Sequence, residues 1–68
     1  MADAFLVKID LQRLQDNLAQ AENRRLSSEE VEFWLSEFGF KRSRNDWIAE
    51  EESLDALDRS EYCVIRRL

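Results

Sequence analysis

The thiol of Cys63 is the strongest nucleophile in this chain, and it occurs once. A catalytic thiolate needs a neighbouring base, and the chain has no histidine to act as one. Cys63 lies between Tyr62 and Val64 in an apolar run, which predicts a buried thiol that behaves as a small hydrophobic side chain. Without histidine the usual zinc-binding spacings are also excluded. The chemistry-bearing residues therefore predict a protein that is not an enzyme and that holds no metal or cofactor.

Carboxylates are abundant, and they are most concentrated in a secondary acidic patch near the C-terminal third. This patch consists of Glu50, Glu51, Glu52, Asp55 and Asp58. Oxygen ligands of this kind suit Ca²⁺ or Mg²⁺, but the central glycine of a dedicated calcium loop is missing. We interpret the patch as a solvated turn whose charges complement the start of a short helix. A glycine-rich phosphate loop is excluded, because Gly39 is the one glycine of the chain.

The basic loop Lys41, Arg42 and Arg44 is the feature that points to nucleic acid. Two helices followed by a hairpin is the element order of a winged helix, in which the hairpin tip touches phosphates. The recognition helix would then be 28–38. Its solvent side carries Glu29, Glu32, Ser36 and Glu37, which would repel a phosphate backbone. Direct DNA binding is therefore an alternative that the sequence disfavours.

Phe33 is the most informative residue of helix 28–38. The stripe predicted to be buried is Val31, Trp34, Leu35 and Phe38, and Phe33 lies roughly 150° from its centre. An exposed aromatic side chain among acids is typical of an anchor for a protein partner. The predicted partner-binding residues are Phe33, Glu29, Glu30, Glu32 and Glu37. A helix covered on both sides, with Phe33 under the hairpin or the C-terminal segment, is the competing interpretation.

Composition limits the class of protein that could carry these residues. The chain has 68 residues and a net charge of −5, with 44% hydrophobic and 37% charged residues. This is too apolar for a disordered tail, and the length predicts one small acidic domain over 1–68. The sequence shows neither a signal peptide nor an apolar run of membrane-spanning length, so we expect a cytoplasmic protein without a membrane partner. Such a short chain is marginally stable, which leaves a homodimer open.

Two elements in the first half of the chain can be predicted from periodicity. Residues 5–10 alternate with period two, which predicts a strand whose Phe5, Val7 and Ile9 face the core. Asp10 can cap the helix that follows. Leu11, Leu14, Leu18 and Ala21 form the apolar stripe of that helix, over roughly 11–24.

Helix 28–38 carries the clearest local signals. Ser27 and Glu30 form a capping box, with Leu26 and Val31 as its hydrophobic staple. Gly39 follows the helix where a left-handed residue belongs, and contact between Phe40 and Leu35 would complete a Schellman ending.

The second half is predicted to contain a hairpin, a turn and a last strand. Phe40 and Trp47 bracket a polar loop of several residues, as the arms of a hairpin would. Ser53 can cap a short helix that holds Leu54 and Leu57. The tail 62–68 contains adjacent β-branched residues and is predicted to be a strand. One helix over 53–68 is the rival, and it would place Glu61 in the middle of an apolar stripe.

These elements predict an α+β fold in the order β-α-α-β-β-short α-β, with two helices packed on one face of a small, mostly antiparallel sheet. The function predicted is a small acidic protein-binding module whose partner is another protein with a basic surface. In its sharper form the module is an inhibitor or regulator that occupies the basic groove of a nucleic-acid-handling protein. The alternatives are a winged-helix-like DNA-binding protein that uses loop 41–44, and a structural subunit of a larger assembly.

Overall fold

The computed structural model describes residues 3–68 of the chain. Its strands are β1 (Ala4–Ile9), β2 (Lys41–Ser43), β3 (Asp46–Glu50) and β4 (Tyr62–Arg67). Its helices are α1 (Leu11–Glu22), α2 (Ser28–Glu37) and α3 (Glu51–Leu54), and a 3₁₀ turn spans Arg59–Glu61. The order of these elements confirms the predicted α+β fold with two main helices.

Within residues 3–68 the four strands form one sheet in the order β2-β3-β1-β4. Each neighbouring pair is antiparallel. Since β3 is antiparallel to both β1 and β2, these two strands run parallel to each other with β3 between them. The α1–α2 segment is thus the crossover of a split β-α-β unit. The second crossover, from β3 to β4, contains the short helix α3 and the 3₁₀ turn.

The core lies between the helices and one face of the sheet. The alternation of β1 buries Val7 and Ile9 on this face, as the sequence predicts. The buried apolar residues are Val7, Ile9, Leu14, Leu26, Val31, Leu35, Phe40, Trp47, Ala49, Leu54 and Leu57. Burial of this set is the main favourable free energy of folding.

Helix α1 begins and ends at residues that stabilise its free backbone groups. The Asp10 carboxylate accepts a hydrogen bond from the Arg13 backbone N–H at 3.1 Å, which confirms the predicted cap. The helix ends at Glu22 because Asn23 adopts a left-handed conformation with φ 55°. Ala21, predicted to lie on the apolar stripe, is exposed, so the buried part of the stripe ends before the last turn of α1.

Helix α2 has both of the terminal motifs that the sequence predicts. The Ser27 hydroxyl accepts from the Glu30 backbone N–H at 3.2 Å, while the Glu30 carboxylate accepts from the Ser27 backbone N–H. At the other end the Gly39 N–H donates to the Ser36 carbonyl at 3.1 Å. The Phe40 N–H donates to the Leu35 carbonyl at 3.0 Å, which completes a Schellman motif.

Replacing Ser27 by alanine is expected to lower the free energy of unfolding by about 1 kcal/mol, because the Glu30 N–H loses its acceptor. Urea denaturation followed by circular dichroism measures this change. Ser28→Ala is the matched control, since Ser28 is exposed and is the first residue inside the helix. Equal stability of the Ser27 and Ser28 variants would contradict the assignment of the cap.

The β2–β3 hairpin is tighter than the sequence suggests. The predicted loop of several residues is wrong, because Ser43 pairs with Asp46 and two residues, Arg44 and Asn45, make the turn. Arg44 adopts a positive φ of 59° there. Polar residues extend as far as β2 because it is an edge strand, where exposed side chains and backbone meet water.

The prediction that Ser53 caps the short helix is also wrong. Helix α3 begins at Glu51 with Glu50 at its N-cap, so Ser53 lies inside it. The Ser53 hydroxyl instead donates a hydrogen bond of 2.7 Å to the Phe38 carbonyl, which joins α3 to the end of α2. The prediction that the short helix holds both Leu54 and Leu57 is wrong for Leu57, because α3 ends at Leu54, although both side chains are buried.

Strand β4 settles the open question of the tail in favour of a strand over a helix. The prediction of a buried Cys63 is wrong, because this thiol is exposed. Its strand lies at the sheet edge and pairs with β1 alone, and Cys63 is opposite Lys8 on the face away from the helices. Val64 and Ile65 are exposed as well, so an apolar run at an edge does not imply burial.

Candidate protein-binding surface

Phe33 projects into solvent from the middle of α2. Its neighbours Val31 and Leu35 are buried in the core, whereas 67% of the Phe33 surface is exposed. The helical period of 3.6 residues places Phe33 on the side opposite the sheet. Within residues 3–68 neither the hairpin nor the C-terminal strand covers it, so the sandwiched-helix interpretation does not hold.

A groove of about 490 Å³ runs along this side of α2 and reaches the end of α1. We call it the α2 groove. Its lining residues are Glu22, Arg24, Leu26, Ser27, Glu29, Glu30, Phe33, Trp34 and Glu37. The groove therefore has aromatic rings at its centre and four carboxylates around them, which is the arrangement of an interface core with a charged rim.

Trp34 and Phe38 extend the aromatic part of this surface. Both were predicted to be buried, but Trp34 is half-buried and 46% of Phe38 is exposed. Four residues apart on one helix, their rings meet with centroids 4.3 Å apart and planes inclined at 32°. The correction has a simple cause, since α2 turns Val31 and Leu35 toward the small sheet and leaves this pair at the border of the contact.

Arg24 organises the charges at one end of the groove. Its guanidinium forms ion pairs with Glu22 at 3.1 Å and with Glu30 at 2.8 Å. The hydrogen bond from Arg24 lowers the pKa of Glu30, and the Ser27 backbone N–H lowers it further. The same hydrogen bond raises the pKa of Arg24. Glu30 therefore stays ionised but is already engaged within the chain.

Glu29 and Glu37 are the rim carboxylates that remain available. Both are exposed, and neither forms an ion pair with another residue of the described part of the chain. Charges that are exposed and uncompensated act on an approaching partner over a distance of about 8 Å at physiological salt.

Glu32, predicted as part of this surface, lies outside the groove. Its carboxylate forms an ion pair of 3.3 Å with Arg42 on β2. The Arg42 guanidinium in turn lies 5.0 Å from the centre of the Trp47 ring, within the range of a cation–π interaction. Glu32 thus connects α2 to the hairpin. The structure brings together Phe33, Glu29, Glu30 and Glu37, and it adds Glu22 and Arg24, which no spacing in the sequence indicates.

The three cations of loop 41–44 do not share one surface. Arg42 lies over Trp47 on the helix side of the sheet, while Lys41 lies next to it in β2 and so points to the other side. Arg44 is in the turn, where its carbonyl accepts a hydrogen bond of 2.8 Å from Arg42. The hairpin therefore does not present the three side chains together to a phosphate backbone.

The residues of the secondary acidic patch are all exposed: Glu50, Glu51, Glu52, Asp55 and Asp58. Asp58 caps the 3₁₀ turn, and hydrogen bonds from the Ser60 backbone N–H and hydroxyl lower its pKa. Over residues 3–68 the carboxylates and the thiol do not converge in any group of three that could hold a metal ion.

No helix in the described range combines the length and apolar character needed to cross a membrane. Comparison of the chain with models of protein families, with curated proteins and with solved structures finds no match.

Proposed function

We propose that this protein is a non-enzymatic, acidic protein-binding module that holds a partner with a basic surface in the α2 groove. The observation that carries the proposal is the exposure of Phe33 at the centre of a carboxylate rim. Covering a phenylalanine side chain in an interface contributes about 2 kcal/mol. Aromatic anchors inside a polar rim are typical of the hot spots of protein interfaces.

The distribution of charged side chains around Phe33 supports a partner with a basic surface. Glu22 and Glu30 share one cation, Arg24, so the groove keeps a net negative charge. Glu29 and Glu37 add charge that is not compensated within residues 3–68. Complementary charges steer a partner toward the surface and disfavour acidic competitors.

In its sharper form, the proposal makes this protein an inhibitor or regulator of a nucleic-acid-handling protein. Carboxylates along one helix face can occupy a basic groove that otherwise holds phosphates. The net charge of −5 and the row of glutamates on α2 support this form. The engagement of Arg42 by Glu32 and Trp47 weakens the alternative of direct DNA binding through the hairpin.

Phe33→Ala is expected to weaken partner binding at least tenfold and to leave stability nearly unchanged, because the side chain is exposed in the free protein. The wild-type protein and the variant serve as baits in an extract of the native host, with quantitative mass spectrometry of the captured proteins. Dissociation constants for the purified partner are then measured by titration calorimetry. Ile65→Ala is the matched control, since Ile65 is also a large exposed apolar residue but lies on β4.

Two results would contradict the proposal. One is a Phe33→Ala variant that unfolds, and the other is equal binding by the variant and the wild type. Charge reversal at the rim gives an independent check, because Glu29→Lys and Glu37→Lys should mainly slow association. This effect should shrink at high salt, since exposed charges act at long range.

A further inference from the structure

The sheet face turned away from the helices has a chemistry opposite to that of the α2 groove. The strand register places Lys41, Ile48, Leu6 and Arg66 in one row across the four strands. Their neighbours Val7 and Trp47 point into the core, and side chains alternate along a strand, so this row lies on the outer face. Along the row, two apolar side chains therefore lie between two cationic ones.

A groove of about 410 Å³ covers the part of this row formed by Ile48, Leu6 and Arg66 and extends to Leu68. Its lining residues are Leu6, Ser43, Arg44, Asp46, Ile48, Arg66 and Leu68. The Leu68 backbone N–H donates to the Ala4 carbonyl at 2.9 Å, which holds the last residue against the sheet. Leu6 and Ile48 are only partly covered, so with Leu68 they form an apolar part of a groove whose lining is mostly polar.

We call this surface the basic sheet face. It is defined by its apolar residues Leu6, Ile48 and Leu68 and by its cations Lys8, Lys41, Arg44 and Arg66. Two carboxylates, Asp46 and Glu50, lie on the same side, so four positive charges against two negative charges leave +2. None of these six charged groups forms an ion pair within residues 3–68. This surplus stands out in a chain whose net charge is −5.

We propose that the basic sheet face of one copy of this chain binds the α2 groove of a second copy, so that copies associate head to tail. The inference rests on the proposed function, because it names a second copy as one basic partner of the groove. The α2 groove is lined by four carboxylates and one cation, Arg24, so its net charge is −3. This charge complements the net charge of +2 on the basic sheet face. Phe33 supplies an apolar anchor that can contact the exposed parts of Leu6, Ile48 and Leu68.

Features of the sheet disfavour two other modes of association, namely binding of a single-stranded nucleic acid and edge-to-edge pairing of strands. A single-stranded nucleic acid needs aromatic rings for stacking, and the sheet-face residues within 3–68 include none. Edge-to-edge pairing through β4 is opposed by the register shift that this strand makes against β1 and by the charges of Arg66 and Arg67.

A head-to-tail contact has a regulatory consequence. It uses different surfaces on the two copies, so it can extend to further copies unless it closes into a ring. Each contact covers one Phe33, which removes that groove from other partners. The concentration of the protein itself would then set how many grooves are open.

Sedimentation velocity of the purified protein tests the inference. Between about 10 μM and about 1 mM we expect the average mass to rise with concentration and to return to that of a monomer at high salt. Lys41→Glu/Arg66→Glu should weaken association at least tenfold, as should Phe33→Ala. Arg25→Glu/Arg59→Glu is the matched control, because it changes the net charge equally at exposed positions outside both surfaces, and it should retain association.

Mixing two variants gives the decisive result. Phe33→Ala keeps an intact sheet face, and Lys41→Glu/Arg66→Glu keeps an intact groove. Each alone should associate at least tenfold more weakly than the wild type, and the mixture should form a 1:1 dimer that does not grow further. A wild-type protein that stays monomeric at 1 mM (about the millimolar limit of weak association), association that survives the sheet-face reversal, or a mixture without a dimer would each overturn the inference.

These outcomes are separable from those of the proposed function. If the wild type stays monomeric while Phe33→Ala still loses an external partner, the self-association fails and the proposed function stands. If copies associate as described but external partners bind independently of Phe33, the broader proposal fails instead. In the first case the sheet-face variant should also retain the external partner, because its groove is unchanged.

Discussion

Gly39→Val is expected to lower the free energy of unfolding by about 3 kcal/mol. Gly39 has a φ of +94°, a region that costs an ordinary residue about 1–2 kcal/mol. A Cβ atom at this position would also lie 2.8 Å from the Ser53 hydroxyl oxygen, which is too close for any real contact. That hydroxyl donates to the Phe38 carbonyl, so the clash would disturb the junction between α2 and α3.

Urea denaturation measures the loss, and a pair of alanine variants separates its two causes. Gly39→Ala carries both the backbone strain and the clash, whereas Gly39→Ala/Ser53→Ala removes the hydroxyl and keeps the strain. The Gly39→Ala change should therefore lower the free energy of unfolding less in the Ser53→Ala background than in the wild type. If Gly39→Val melts at the wild-type temperature, the left-handed ending of α2 is wrong.

Glu61→Ala is expected to lower the free energy of unfolding by about 2 kcal/mol, through the loss of charge-assisted hydrogen bonds in a buried position. Only 4% of Glu61 is exposed. Its carboxylate accepts hydrogen bonds from the Asn17 side chain on α1 and from the Asp58 backbone N–H at 3.2 Å. Its carbonyl accepts from the Asp10 N–H at 2.7 Å, so the same residue joins the 3₁₀ turn to the start of α1.

Two further variants make the Glu61 prediction specific. Glu61→Gln keeps the shape and one acceptor oxygen, so it should lose about half as much stability as Glu61→Ala. Asn17→Ala removes one donor, and its effect should be smaller in the Glu61→Ala background than in the wild type. Additive effects of Asn17→Ala and Glu61→Ala would show that the two side chains do not interact.

These two residues also mark the limit of what a sequence can predict. Its place after an amphipathic segment predicts the role of Gly39, whereas the sequence marks Glu61 only as a charged residue in the apolar stripe of a helix that does not form. Its partner Asn17 lies 44 residues away on α1, where no pattern in the sequence indicates a partner. A hydrogen bond between such distant residues depends on how β4 returns beside β1, which local spacing does not encode.

The proposed binding surface is likewise only partly predictable from the sequence. Phe33 and its neighbours Glu29, Glu30 and Glu37 could be grouped from the sequence, because residues three or four positions apart share a helix face in any fold. Two ion pairs depend on the packing of α2 against its neighbours. Arg24 pairs with Glu30 near the end of α1, and Arg42 of the hairpin pairs with Glu32. The basic sheet face was not predictable, since its cations come from three strands and a turn.

The elements whose stabilising contacts are short in range can be predicted without the fold: the period-two strand β1, the cap at Asp10, and α2 with its capping box and Schellman ending. Long-range packing sets which strand lies at an edge and which side chains meet across the sheet. It therefore determines that Cys63 is exposed and that residues 41–43 form a strand. The physical reason is that helix caps and periodicity are satisfied within a few residues, whereas burial at a given position depends on strands brought together by long-range pairing.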